Sequence, residues 1–331
     1  MNKGGETVHT FWPGETFSLG FMNSFATPTR RTEYFSVTGP DVLWSVDYSH
    51  AFTRYSSAYR SIGDNRPEST VYGRAAIVPG QFRPGAVPNG LSLVNCAVCR
   101  QGDTLYVLPK LVEGDPRHGY GSTGRTTVTR LSRDGVEIPT SGRGGFPLSP
   151  ESGRYRLEYT STETNPLHRY GPVVRTVWDF TATARPTVNE PQPPYQKARV
   201  SDANPAAWQP VIFLNYEFPL FLDNTALAGL PLLFTVRASA GKPGSAKDVA
   251  ALTLRVSFDD GKTWADPWFV RRTGDGQFQV LLNHPRFDRT TGAVTLQVRA
   301  WDRAGNSVSQ TVSRAYGLVD LWHRDSSRTP V

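Results

Sequence analysis

Three features of the sequence predict an all-β protein made of tandem β-sandwich domains. Short runs alternate apolar and polar residues with a period of two, Asp-Gly and Gly-rich turns separate those runs, and Gly and Pro together supply about one residue in six, against roughly 12% in average proteins. Punctuation that dense excludes bundles, coiled coils and long helices. A hydrophobic content of 38% with eight Trp excludes disorder, and no apolar run approaches the ~18 residues of a membrane-spanning helix.

In chain order, Thr7-Val8-His9-Thr10-Phe11-Trp12 reads as a strand rather than as the apolar centre of a secretion signal. The stretch 41–62 lacks Gly and Pro, and Trp44, Tyr48, Phe52, Tyr55 and Tyr59 fall at helical intervals. Val42, Trp44, Val46 and Tyr48 fit a strand equally well, and aromatic residues favour strands, so a strand is expected there. Tyr155, Leu157 and Tyr159 alternate, as do residues 173–180. Leu252, Leu254, Val256 and Phe258 oppose Thr253, Arg255 and Ser257, and Val294, Leu296, Val298 and Ala300 repeat the pattern. Turn signals lie between them at Asp134-Gly135, Asp260-Gly261, Asp275-Gly276 and Ala304-Gly305-Asn306.

Residues 185–194 carry Pro186, Pro191, Pro193 and Pro194, the composition of an extended spacer. A weaker break lies between Pro79 and Gly90, and the tail is polar. The expected division is therefore an N-terminal β region at 1–84 packed with its neighbour, a β-sandwich at 85–187, an immunoglobulin- or fibronectin-III-like sandwich at 188–319, and a polar tail at 320–331.

The formal charge is +7, from 36 Lys and Arg against 29 Asp and Glu. Only six of the basic residues are Lys, and an Arg excess alongside abundant Ala, Gly, Pro and Val is what GC-rich codons produce. Nucleic-acid binding would want basic residues clustered on one element, and the densest local groups are the pairs Arg30-Arg31 and Arg271-Arg272. No nucleic-acid partner is expected.

Three chemistries compete for Cys96-Ala97-Val98-Cys99, the only cysteine pair. A zinc site wants about four ligands, and the chain adds no Cys and six scattered His. A redox motif wants a βαβ setting. A structural disulfide suits an all-β context, but cysteines three apart in an extended strand lie about 10 Å apart at Cα, beyond the ~7 Å limit, so residues 96–99 must turn or bulge. Gly119-Tyr120-Gly121-Ser122-Thr123-Gly124 matches a dinucleotide-binding fingerprint. The β-branched run after it reads as a strand, not the helix that motif requires. Ser239-Ala240-Gly241-Lys242 matches a nucleophile pattern in a Gly-rich loop without its helix, and His284 before Pro285 reads as a turn residue. Ser257, Asp259, Gly261, Thr263 and Trp264 fit the Asp-box hairpin position for position. In that motif the Asp caps turn amides, the Gly permits positive φ, and the Trp packs beneath.

The run 252–318 resembles one family. Residues 254–264, His284-Pro285, residues 294–306 and Gln310-Thr311-Val312-Ser313-Arg314-Ala315-Tyr316-Gly317-Leu318 are similar to the C-terminal, non-catalytic end of large secreted subtilisin-like serine peptidases of actinobacteria. Residues 29–34, 99–104, 131–135, 155–158 and 177–180 follow in the order that region shows. The resemblance implies that the catalytic Asp, His and Ser lie in a separate upstream domain, in segments of the types D-[ST]-G, H-G-T and G-T-S-M-A. None of these segments is in this sequence. It therefore implies no catalytic, cofactor or metal residue here, and no enzyme in this chain alone. It further implies an extracellular accessory region that supports the stability or substrate access of the catalytic domain, with that domain and its protein substrates as partners. The alternative is a free-standing extracellular module binding polysaccharide, cell wall or a protein. An exposed coplanar set among Trp12, Trp208, Trp268 and Trp322 would favour it.

Overall fold

The computed structural model describes residues 70–81 and 96–320 apart from 116, 142–144, 167, 189–204 and 243–244. It also describes residues 30 and 32 and the strands at 3–12, 15–24, 42–50 and 53–56. The expected spacer at 185–194 lies largely outside the described residues, as do residues 321–331.

The chain is all-β, and the strands among the described residues form four sheets. In the first, β1 (Lys3–Trp12), β2 (Glu15–Ser24), β3 (Val42–His50), β4 (Thr53–Ser56), β5 (Val78–Gly80), β8 (Lys110–Val112) and β9 (Gly119–Ser122) run in the order β2-β1-β3-β4-β9-β8-β5. The strands expected around Thr7 and Val42 are both present. The second is a small sheet of β6 (Val98–Gln101), β7 (Thr104–Val107), β12 (Gly145–Pro147) and β15 (Ala206–Trp208).

The third and largest sheet follows the order β11-β10-β13-β14-β23-β22-β19. Its members are β10 (Arg125–Arg133), β11 (Val136–Ile138), β13 (Gly153–Glu163), β14 (Val173–Ala182), β19 (Val249–Ser257), β22 (Ala293–Asp302) and β23 (Ser307–Val319). The short β17 (Thr225–Leu227) pairs in parallel with the end of β23. The fourth, β16 (Ile212–Glu217), β18 (Pro231–Ala240), β21 (Gln277–Asn283) and β20 (Phe269–Gly274), covers part of the third.

Local chemistry sets these hairpins. Asp134 and Gly135 take φ of 52° and 78° between the paired residues Arg133 and Val136, the mirror-image turn that matches strand twist. At Gly276, with φ of 61°, an added Cβ would lie 2.0 Å from the Ala238 carbonyl oxygen. Glycine is required there both for the backbone angle and for the close approach of β18.

Alternation then sorts the faces of the large sheet. Leu157, Trp178, Val308, Ala300 and Leu252 point inward in one register row and are all buried. Opposite them lie Ile212, Leu214, Tyr216, Val236, Val280 and Leu282 of the fourth sheet, in the same apolar cluster. Polar pins cross the two layers. The Trp178 indole donates to the Ile212 carbonyl at 2.6 Å, and the Tyr216 hydroxyl donates to Gln310 at 2.8 Å. The Gln310 amide donates in turn to Thr176 at 2.9 Å.

Strands on the two sides of residue 188 share sheets. β14 pairs with β23 from Val174↔Val312 to Asp179↔Ser307, β6 pairs with β15, and a single core cluster contains both segments. The physical reason is edge protection. A sandwich ending at β23 would leave a long row of unpaired amides and carbonyls, and β14 covers it. In the segment 1–84, β5 and β4 pair with β8 and β9 of the next segment.

Candidate functional site

The densest chemistry lies in a buried polar seam where the segment around residue 74 meets residues 113–125 and 215–224. Glu113, fully buried, receives the Arg74 amide at 2.6 Å and lies 2.7 Å from His118 Nδ1. Burial raises its pKa above the ordinary carboxylate range, against the lowering influence of His118. Asp115 lies 3.9 Å from His118 Nε2, and the Tyr72 ring stacks on the imidazole at 4.3 Å. A second carboxylate, Glu163, receives the Tyr120 hydroxyl at 2.8 Å, Arg125 at 3.3 Å and the Asn165 amide at 3.0 Å. Its pKa is lowered: these hydrogen bonds and the Arg125 charge outweigh the upward push of desolvation. Tyr55 packs edge-on to Tyr120 at 5.2 Å, and burial pushes its hydroxyl pKa well up.

Two carboxylates displaced in opposite directions are the pattern of an acid and a base. Here both are spent on internal bonds. Each oxygen of Glu113 and Glu163 has a partner, and a Cβ on Gly124 would lie 2.6 Å from Glu163 Oε1. The seam joins segments distant in the sequence. Arg74 donates to the carbonyls of Phe218 and Leu220 at 2.8 and 3.0 Å, Asn224 bonds Ala75 and Gly73, and Asn215 donates to the Glu113 carbonyl. His284 is equally committed, with Nδ1 against the Leu227 carbonyl at 3.0 Å and Nε2 against the Tyr316 hydroxyl at 2.8 Å.

Cys96 and Cys99 form a disulfide with Cα atoms 5.6 Å apart. The bend that permits it sits at Ala97, whose amide donates to Gln81 at 2.9 Å and whose carbonyl accepts from the Leu108 amide at 2.7 Å. Trp208 packs on the pair and is buried. Gly119-Tyr120-Gly121-Ser122 is strand β9, and Thr123-Gly124 is the turn into strand β10. Among the described residues no group of three or more His, Cys, Asp and Glu is placed to hold a metal ion.

The Asp-box residues assemble as a unit at the end of β19. Ser257 Oγ donates to Asp259 at 2.7 Å and accepts the Gly261 amide at 2.8 Å. Asp259 accepts the Thr263 amide and hydroxyl at 2.9 and 2.6 Å. Asp260 and Gly261 take φ of 59° and 91°, Trp264 lies against Gly261, and Ala265 pairs with Val256. Arg314 on β23 holds Asp260 at 3.1 Å. The Thr263 hydroxyl, then the Thr263 amide and Ser257, draw the Asp259 pKa down to about 2.

A carboxyl whose folded pKa lies below its unfolded value of about 3.9 stabilises the fold above that value, and the contribution is lost as pH falls toward the folded pKa. Asp259→Asn is therefore expected to melt below the parent chain at pH 7, with the gap closing between about pH 4 and pH 2. Thermal unfolding at several pH values reads this out, and an unchanged gap at pH 2 would remove the carboxylate from the account.

Of the four Trp singled out as a candidate platform, Trp208 is buried, Trp268 is 62% exposed, and the side chains of Trp12 and Trp322 lie outside the described residues. Sequence reasoning missed Trp301. It sits half-buried on the outer side of the large sheet beside Arg299, whose guanidinium lies 5.9 Å from the indole centroid.

Compared with known proteins, the chain matches no family model and none of the curated proteins.

Proposed function

We propose that the chain is a non-catalytic, extracellular accessory region of a secreted subtilisin-like serine peptidase, working by packing against the catalytic domain and supporting its stability or substrate access. The observation that carries this reading is the commitment of the buried reactive groups. Glu113, His118, Glu163 and His284 are tied up in bonds that join strands. Strand order supports the immunoglobulin-like character expected for residues 188–319. Counting β16, β18, β19, β20, β21, β22 and β23 as one to seven, the sheets run 1-2-5-4 and 3-6-7, the order of a constant-type immunoglobulin sandwich. The outer face of the fourth sheet offers a contact surface: Leu233 and Phe269 flank Leu281 in register and are 47% and 38% exposed.

The test has two parts. The purified chain is expected to leave casein intact, and the reading frame upstream of it in the source genome is expected to encode the three catalytic segments. Casein cleavage by the chain, or an upstream frame without a peptidase domain, would overturn the proposal. A second reading, an extracellular binding module, is favoured by the arginine-rich outer face of the largest sheet.

A further inference from the structure

The outward side of the eight-stranded sheet is a broad polar surface. One row, Arg130, Glu158, Val177, Ser309, Arg299 and Thr253, crosses six strands in direct register. The rows beside it add Arg154, Arg156, Arg175 and Arg255, and all six arginines are exposed. The carboxylates on the outer face of these six strands are Glu158 and Asp179, both held by Arg156, at 3.1 and 3.2 Å, and the edge strand β11 adds Glu137 opposite Ser132. Among the described residues, Arg255 pairs with Asp266 at 3.8 Å, and that side chain is 84% exposed. Among the described residues, Arg130, Arg175 and Arg299 form no ion pair. They stand on β10, β14 and β22, two strands apart each time, with Arg175 two residues to one side of the row that holds Arg130 and Arg299, which puts roughly 12 Å from one to the next at the usual strand spacing and rise. Between them lie the hydroxyls and amide of Thr160, Thr311, Ser309 and Gln297. At one end a shallow depression of about 300 Å³ is lined by Arg154, Arg299, Trp301, Gly305 and Ser307.

The geometry points to a linear acidic polysaccharide, with one carboxylate per disaccharide, lying across this face. Three features select that occupant. Six strands in register give the surface the width to hold an extended polymer. Its cations without ion pairs stand spaced on one face, so each can fork onto a carboxylate while the hydroxyls and amide between them meet sugar hydroxyls. The indole of Trp301 gives an apolar ring for the C–H face of a sugar. A nucleic acid places a phosphate at every nucleotide and calls for denser cations with several stacking rings. The inference rests on the binding-module reading and does not need the peptidase association, so its test is separate from the casein and reading-frame experiments.

The probes are hyaluronan, neutral dextran and single-stranded DNA, in affinity electrophoresis at low and high salt. Hyaluronan is expected to retard the chain, dextran is not, and the retardation is expected to fade with salt as exposed charge pairs are screened. Arg130→Gln, Arg175→Gln and Arg299→Gln together should weaken retention about tenfold or more, since each exposed pair contributes modestly. Trp301→Ala should weaken it severalfold. A control losing three cations elsewhere (Lys262→Gln, Arg271→Gln, Arg272→Gln) should bind hyaluronan within about twofold of the parent. No retardation by hyaluronan would overturn the inference, and so would equal losses in the control and the triple variant. Tighter retention by DNA, lost in the triple variant, would assign the face to nucleic acid instead.

Discussion

Cutting the chain within 189–204 is expected to leave two fragments that stay together. A specific protease site placed after Gln196 would separate 85–187 from 205–319 covalently, yet the two would still share the β14–β23 ladder from Val174↔Val312 to Asp179↔Ser307. They would also share the β6–β15 pair and the bonds from Trp178 to Ile212 and from Gln310 to Thr176. The nicked chain should therefore elute from a sizing column as the intact one does and come apart only in denaturant. Two folded species eluting separately would restore the independent domains that the prolines suggest. The same interface should be brittle to truncation of its central side chain. Trp178 is completely buried and meets Phe213 edge-on at 5.7 Å, so Trp178→Ala is expected to cost about 3–5 kcal/mol as transfer and cavity terms add. In thermal unfolding of the intact chain that corresponds to a drop on the order of 10 °C.

Period-two alternation and turn chemistry carried the fold class, because both act within a few residues. The hairpins at Asp134-Gly135 and Asp275-Gly276 and the Asp box from Ser257 to Trp264 stand where the sequence places them. The shared sheet was not legible. A proline-rich stretch reports on its own backbone stiffness, whereas pairing of β14 with β23 joins residues more than a hundred positions apart and depends on which edge needs covering. The arginines show the same limit. Scattered along the sequence, Arg130, Arg175 and Arg299 look like codon bias. The register of five consecutive strands in the sheet order brings them to one face, and no local window contains that information. Of the candidate residues, the cysteine pair needed only a bend at 96–99, which the Cα limit already demanded. The seam around Glu113 and His118 had no motif to announce it, since its members come from segments around 74, 113, 163 and 215.

Replacing Arg100 is expected to be among the most damaging single changes in the chain. Its side chain is completely buried, which for an arginine requires that its donors be satisfied. Nε donates to the Gly102 carbonyl at 2.8 Å, one terminal nitrogen to the carbonyls of Thr183 at 2.6 Å and Glu151 at 3.4 Å, and the other to the Ser149 carbonyl at 2.6 Å and Asp103 at 3.1 Å. One guanidinium thus ties the β6–β7 hairpin to the approach of β13 and to the chain just past β14, where Gln209 also bonds Thr183. Arg100→Met would fill most of the volume but leave these carbonyls facing an apolar group, at a cost of about 3–5 kcal/mol. Arg100→Lys should recover only part of that, because an ammonium directs its three donors from a single point and cannot match a planar fork. Asp103→Asn should be mildest: Asp103 is 37% exposed, it is also held by Arg185, and the Arg100 carbonyl contacts survive its loss. Denaturant unfolding of the three variants checks the order. A methionine variant as stable as the parent would mean that the guanidinium's desolvation cancels the bonds it makes, and the clamp would then contribute geometry without net stability.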